Sequence, residues 1–157
     1  TGTSFYLADL HIHPFAISHD TVDPVGFIFS DSSCSLGYCT DTGVVTRLLS
    51  HRLSGCNGLV IECNHDPGML QNGPYPAHLK QRVSSKQGHL ANKEAAEFIC
   101  SLLHPFLQHI VLAHLSETNN TPQKALKEAR DALSDVNVAL TAACQSDCGE
   151  MLKIMPC

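Results

Sequence analysis

The hydrophobic positions along the chain alternate between a spacing typical of buried strands and a spacing typical of amphipathic helices. Apolar and β-branched runs predict strands at 25–29, 35–40, 59–63, 109–115 and 136–141, after two short apolar segments at 5–10 and 14–17. Apolar residues at helical spacing predict a helix at 44–53, and a short helix is predicted at 76–84. Asn92 is the predicted N-cap of a long helix that Pro105 kinks or shortens, and Thr121-Pro122 opens a helix ending near Leu133.

The order of these elements indicates the fold class. From residue 44 onward, helix and strand alternate, which predicts a layered sheet with helices packed on it. The strands at 25–29 and 35–40 are joined by a polar turn at 31–33 and form a predicted hairpin. A chain of 157 residues with no internal repeat or linker fits one domain and is long enough to bury a core.

Composition and charge exclude several classes of protein. The formal net charge of −5 argues against a globally basic nucleic-acid binder. No apolar run is long enough for a membrane span, and no secretory signal opens the chain, so no membrane partner is expected. The eight cysteines form no C-x-x-C pair and favour a reducing, cytoplasmic location, with a disulfide framework as the weaker alternative.

Polar side chains follow three of the predicted strands and open one predicted helix. Asp41 follows the strand at 35–40, His65 the strand at 59–63, and His114 lies at the end of the strand at 109–115, while His89 precedes the long helix. Loops after strands are where α/β sheets place chemistry, and aspartate with neutral histidine suits Zn²⁺ or a similar ion. The alternative is that Asp41 caps the following helix and the histidines are ordinary turn or core residues.

The charged residues are unevenly distributed. Residues 67–93 contain no Asp or Glu but hold Lys80, Arg82, Lys86 and Lys93. This basic window ends at a predicted helix N-terminus, where a phosphate group is favoured. It favours a phosphodiester substrate, and the alternative is a solvated cationic face.

Five segments, in this order, resemble the C-terminal half of a metallo-β-lactamase-fold hydrolase of the YycJ-type branch, whose members resemble phosphodiesterases and nucleases. They are SHDTVDPVGFIF (18–29), LGYCTDTG (36–43), IECNHDPGML (61–70), GPYPAHLKQRVSSKQGHLAN (73–92) and AHLSETNNTPQKAL (113–126). The resemblance implies an α/β layered αββα sandwich, of which residues 1–157 form a single partial domain: the C-terminal half, a sheet with helices packed on one face.

The resemblance also implies roles for individual residues. Asp41 and His114 match positions that bind metal, and His89 matches the histidine that assists protonation of the leaving group. The implied reaction is hydrolysis of phosphodiester bonds, with nucleic acid as the expected substrate, by a hydroxide activated on two divalent metal ions, Zn or Mn. Ala91 stands where the branch usually has Ser after Gly-His-Leu. The expected substrate-binding residues, some taken from the basic window, are His65, Lys80, Arg82, Lys86, Asn92 and Asn119.

One part of the family pattern is absent from the sequence. The His-x-His-x-Asp-His signature and one further histidine ligand belong to the family's N-terminal half, which leaves too few ligands here for a tight zinc site. We therefore expect this chain to be a piece of a longer protein and inactive alone. Its exposed sheet face or edge would need a partner, either the missing half or a second copy.

Two other interpretations stay open. Asp9-x-His11-x-His13 resembles the first-strand metal motif of amidohydrolase and polymerase-associated phosphoesterase barrels, although those folds need a longer chain. The plainer interpretation is that His11 and His13 share one face of a strand. The alternative to an enzyme is a non-catalytic truncated domain that acts as a binding or assembly module.

Overall fold

The computed structural model describes residues 1–134 and 136–156. In this part of the chain, seven strands form one mixed sheet, arranged in the order in which they occur in the sequence. The first four strands are antiparallel, and the last four run parallel. The elements are β1 (Phe5–Leu7), β2 (Leu10–Ala16), β3 (Val25–Ser30), β4 (Ser35–Cys39), α1 (Arg47–Leu53), β5 (Gly58–Glu62), α2 (Pro67–Asn72), α3 (Ala77–Val83), α4 (Asn92–Ser101), β6 (His109–Ala113), α5 (Pro122–Leu133) and β7 (Ala139–Ala142).

One face of the sheet carries the core. Leu59 and Ile110 are register partners on adjacent parallel strands, and both are at most 1% exposed. They pack beneath α1, α4 and α5, which contribute Leu49, Phe98 and Ala129 to the same cluster. Burial of one such aliphatic side chain stabilises a fold by about 1.5–3 kcal/mol. This confirms the predicted α/β layered architecture with helices packed on one face of the sheet.

The other face is apolar and only partly covered, and we call it the open face. Tyr38, Val60 and Val111 form one row across β4, β5 and β6, and Tyr38 is 38% exposed. The segment 151–156 crosses one end of this face, where Ile154 contacts Gly58 closely enough that a Cβ there would clash. The expectation that the open face needs a partner stays a prediction.

The structure corrects several predicted boundaries. Helix α1 begins at Arg47 because the hydroxyl of Thr46 caps it, so Asp41 does not serve as its cap. Asn92 is wrong as an N-cap, since Ala91 holds that position and its amide N–H donates to the Glu94 carboxylate. Helix α4 also ends at Ser101, well before Pro105.

One element was not predicted. Helix α2 begins after Asp66, whose carboxylate accepts the amide N–H of Met69 at 2.7 Å, and Pro67 occupies its first turn. An acidic cap followed by proline is a recognisable start signal.

Two further expectations concern cysteines and membranes. The seven cysteines within the described ranges are free thiols, while Cys157 lies outside the described residues. None of the helices described is long and apolar enough to cross a lipid bilayer.

Candidate metal centre at the strand ends

Two residues with left-handed backbone conformation bring a carboxylate and an imidazole together at the carboxyl ends of the parallel strands. Asp41 follows β4 with φ of +60°, and His114 follows β6 with φ of +56°. The Oδ1 atom of Asp41 lies 3.6 Å from Nε2 of His114. A residue with a side chain generally pays about 1–2 kcal/mol for this backbone region, although aspartate tolerates it better. Such strain concentrates at functional sites.

A buried carboxylate lies beneath these two residues. Glu62 is the last residue of β5 and is 0% exposed. Its Oε1 accepts hydrogen bonds of 2.7 Å from Nδ1 of His89 and from Nδ1 of His114. Its Oε2 accepts the backbone N–H groups of Thr42 and Leu90 at 2.9 and 3.2 Å. Because Glu62 engages both Nδ1 atoms, each imidazole keeps Nε2 for another partner.

The charges of this group reinforce one another. Burial alone would raise the pKa of Glu62, but the hydrogen bonds from His114 and His89 outweigh it and lower the pKa to about 2. The hydrogen bond to Glu62 in turn raises the pKa of His114, against the effect of burial. The carboxylate is therefore ionised, and it favours the protonated form of His114 when no cation is bound.

A third imidazole reaches the same carboxylate of Asp41. His19 Nδ1 lies 3.0 Å from the carbonyl oxygen of Gly88 and must donate to it, which leaves the Nε2 lone pair available. That Nε2 atom lies 3.7 Å from Oδ1 of Asp41. The rings of His19, His89 and His114 form a row with 5.0 Å between successive centroids. We call His19, Asp41, Glu62, His89 and His114 the strand-end cluster.

The residues of the cluster fit a divalent cation. Donor atoms of Asp41, Glu62, His89 and His114 all lie within 4.8 Å of one another. Because Glu62 is engaged by four hydrogen bonds, the available donors nearest one another are the carboxylate of Asp41 and the Nε2 atoms of His19 and His114. The separations of these two Nε2 atoms from Oδ1 of Asp41, 3.7 and 3.6 Å, match two ligands that each lie about 2.0–2.2 Å from a shared ion. Imidazole with carboxylate suits zinc and other borderline ions.

The cationic side chains Lys80, Arg82 and Lys86 of the basic window have other partners than the cluster. Arg82 donates from Nη2 to Asp20 at 3.2 Å, and Lys80 donates from Nζ to the carbonyl oxygen of Gln71 at 2.7 Å. Lys86 lines a separate cavity beside Glu94 and Glu97. Of the three, only Arg82 is linked to the cluster by a described contact, because Oδ1 of its partner Asp20 also lies 3.6 Å from Nε2 of His19.

The remaining predicted residues are buried beside the loops that carry the cluster. His65 is 3% exposed and pairs with Ala91 through a backbone bridge. Asn92 is 2% exposed, and its amide exchanges two hydrogen bonds of 2.9 and 2.8 Å with the amide of Asn120. Asn119 is 1% exposed. These three side chains lie inside the protein, next to the strand-end loops.

A neighbouring amide holds the strained histidine in place. Asn64 Nδ2 donates to the backbone carbonyl oxygen of His114 at 2.9 Å. The carbonyl of Asn64 in turn accepts from Asn120 at 3.0 Å. The left-handed turn at His114 is therefore anchored to the loop after β5.

Glu62 and His19 have no predicted role in the sequence, although both lie in segments that carry the family resemblance. Glu62 interrupts the apolar run Leu59-Val60-Ile61, and a carboxylate inside a buried strand must be paired. His19 lies beside Asp20, 22 residues before Asp41, and no local pattern connects the two. Only the folded chain brings them together.

Comparison with known proteins gives three informative matches. The chain is 35% identical over 127 residues to the exodeoxyribonuclease YycJ of Bacillus anthracis, covering 81% of this chain and 48% of that protein. It is 36% identical over 124 residues to the exodeoxyribonuclease WalJ of Streptococcus pneumoniae, covering 79% and 46%. The crystal structure of the metallo-β-lactamase-fold protein YhfI from Bacillus subtilis superimposes with a TM-score of 0.65 at 18% identity, covering 90% and 49%.

These matches concern a part of the related proteins. The chain spans about half the length of the curated relatives it matches. No protein-family model matches it. The likeness to YhfI shows the metallo-β-lactamase fold, and over the residues matched the chain is similar in sequence to YycJ and WalJ. The chain therefore has the metallo-β-lactamase fold and resembles the YycJ-type proteins, as the sequence motifs predicted.

Proposed function

We propose that this chain supplies half of the active site of a metal-dependent hydrolase that cleaves phosphodiester bonds in DNA. The observation that carries the proposal is the approach of Asp41 to His114, 3.6 Å apart above a buried Glu62. The YycJ and WalJ relatives, both named exodeoxyribonucleases, support DNA as the substrate. A bound divalent metal in such a site polarises the scissile phosphate and lowers the pKa of water.

Each residue of the cluster has a distinct proposed role. Asp41, His114 and His19 hold the cations through Oδ1 and the two Nε2 atoms. Glu62 fixes the orientation of the His114 ring through Nδ1, as outer carboxylates do for metal-binding histidines. His89 is held by the same carboxylate, so its Nε2 can carry the proton that the leaving oxygen needs.

The metal content and the substrate contacts are finer parts of the proposal. We propose that the site would take two ions, zinc or manganese, with Asp41 among the residues that hold them, since nitrogen and oxygen donors suit both metals. Arg82 reaches the cluster only through Asp20, and in this proposal it positions His19. His65, Asn92 and Asn119 support the loops, and Lys80 and Lys86 stay candidates for more distant phosphate contacts.

The proposal is tested by metal binding and by hydrolysis. Calorimetric titration of the chain with Zn²⁺ or Mn²⁺ is expected to show stoichiometric binding that Asp41→Asn and His114→Ala weaken. His78→Ala, at an exposed position on α3, is the matched control. Hydrolysis of end-labelled DNA is expected when the N-terminal half of a YycJ-type relative is added in trans. Absence of metal binding both alone and with that half would overturn the proposal.

The second candidate function is a binding or assembly module. The row of Tyr38, Val60 and Val111 on the open face favours it, because apolar surface of this kind marks contact sites. A module of this kind would gain a partner on adding the N-terminal half, but no metal binding and no DNA hydrolysis.

A further inference from the structure

A cavity of about 370 Å³ opens beside the strand-end cluster. His89 and His114 form part of its wall, so a molecule inside the cavity also contacts the cluster. Its other lining residues include Tyr75 before α3, Ser116 and Thr118 after β6, and Gln145. We call this cavity the Tyr75 pocket.

The charge of the Tyr75 pocket differs from that of a phosphate site. Among the described residues that line it, none is Lys or Arg, and Glu117 is the one carboxylate. Arg82 pairs with Asp20, and Lys80 bonds the carbonyl oxygen of Gln71. The pocket therefore suits an uncharged group, while the cations proposed for the strand-end cluster next to it would bind the phosphate of the same molecule.

The chemistry of the lining suits a nucleobase and its sugar. Tyr75 is half-buried and provides an aromatic face on which any base can stack. Thr118 and Glu117 are exposed at the rim, and hydroxyl and amide groups from Ser116 and Gln145 can both donate and accept hydrogen bonds. The cavity volume lies within the range of sites that hold one small molecule.

We propose that the Tyr75 pocket binds the single nucleoside attached to the phosphate that the strand-end cluster holds. This rests on the proposed function and adds to it the place where one terminal nucleotide is recognised. A pocket for one nucleoside next to the reacting phosphate would favour cleavage at a strand end over cleavage within a strand. Stacking on Tyr75 makes the recognition tolerant of base identity.

The test uses nucleoside binding without metal, so that it does not depend on hydrolysis. In EDTA, deoxyadenosine at millimolar concentration is added to the labelled chain, and the NMR shifts of the Tyr75 ring and the Thr118 methyl group are followed. We expect saturable shifts with deoxyadenosine and none with deoxyribose. Equal shifts with the two probes, or none with either, would overturn the proposal.

Variants locate the contact. Tyr75→Ala is expected to weaken deoxyadenosine binding by at least about fivefold, as loss of base stacking on an aromatic ring does, and Tyr75→Phe is expected to retain it. Tyr38→Ala, on the open face, is the matched control for loss of a tyrosine. Unchanged affinity in Tyr75→Ala would overturn the proposal.

The two proposals fail in different ways. Metal binding without nucleoside binding would overturn the pocket and leave the proposed function standing. Nucleoside binding in a chain that binds no metal, alone or with the N-terminal half, would overturn the proposed function and leave the pocket standing.

Discussion

His114 Nδ1 lies 2.7 Å from Oε1 of Glu62, and this hydrogen bond joins the end of β5 to the residue that follows β6. The same oxygen accepts an equally short bond from His89. One buried carboxylate therefore orients two imidazoles that come from different loops.

Replacement of Glu62 by glutamine should weaken metal binding while the fold is retained. An amide of the same shape carries no charge and has one acceptor oxygen where the carboxylate has two, so it cannot accept from both imidazoles and from the N–H groups of Thr42 and Leu90. Loss of such an outer carboxylate typically reduces metal affinity about 10–100-fold. Calorimetric titration with Zn²⁺ measures the effect. Glu97→Gln, an exposed carboxylate on α4, should leave the affinity unchanged.

The metal-free protein should show a pH window of added stability. The Glu62 hydrogen bond raises the pKa of His114 above 6.5, so this contribution is present below pH 6.5 and is lost as pH rises through the raised pKa. Burial would raise the pKa of Glu62, but hydrogen bonds from His114 and His89 lower it below 4.5. The stability that this carboxylate contributes is therefore lost as pH falls towards about 2. Urea unfolding in EDTA should therefore show the largest contribution between pH 4.5 and 6.5.

Glu62→Gln is the control for that window. It removes both pKa shifts, so the difference in unfolding free energy between wild type and variant should narrow above pH 6.5. A difference that grows steadily from pH 6 to pH 9 would contradict the assignment.

Replacement of Asp41 should separate backbone strain from metal binding. Asp41 has φ of +60°, a region that costs a residue with a Cβ about 1–2 kcal/mol and costs glycine far less. Asp41→Gly should therefore be more stable than Asp41→Ala by about 1 kcal/mol, and neither should bind metal tightly. Chemical denaturation and metal titration of the two variants test this.

Ala8 offers a matched control for the strain, because it has φ of +53° in the turn between β1 and β2. Ala8→Gly should also stabilise the chain, and it should leave metal binding unchanged. If it changed metal affinity as much as Asp41→Gly did, a specific role for the Asp41 carboxylate would be untenable.

Removal of the Asn120 amide should destabilise the protein more than removal of an exposed amide. Asn120 Nδ2 donates to the carbonyls of Cys63 and Asn64, and the side chain pairs with Asn92. Asn120→Ala leaves these buried groups without partners, which typically costs about 2–3 kcal/mol. Asn72→Ala, at an exposed site on α2, should cost less than about 0.5 kcal/mol. Urea unfolding compares the two variants.

Local sequence patterns predict the strands that build the site, but they do not predict every residue that belongs to it. The buried runs at β5 and β6 and the polar residues after them follow from hydrophobic periodicity, and they place Asp41 and His114 at one edge of the sheet. His19 joins them through a contact to the Gly88 carbonyl across 69 residues of chain. A pairing at that separation leaves no periodic trace in the sequence.

The distribution of charged residues along the sequence identifies a basic segment, but it does not show which ion pairs its residues form. Residues 67–93 contain only basic charges, yet Arg82 forms an ion pair with Asp20, which lies far outside that window in sequence. The start signal at Asn92 was similarly incomplete, since Glu94 caps the backbone of Ala91 and leaves the Asn92 amide to pair with Asn120. In both cases a tertiary contact, with Asp20 or with Asn120, outweighs the local sequence preference.

The parallel pairing of β4, β5 and β6 ties the chemistry of the cluster to the alignment of the sheet. Glu62 lies opposite Ala113, directly before His114, and side chains along a strand alternate between faces. A slip of β5 by a single residue would turn the carboxylate to the helical side and put Cys63 in its place. Misaligned molecules would lose the carboxylate that orients His89 and His114, so cation binding reports correct alignment of β5.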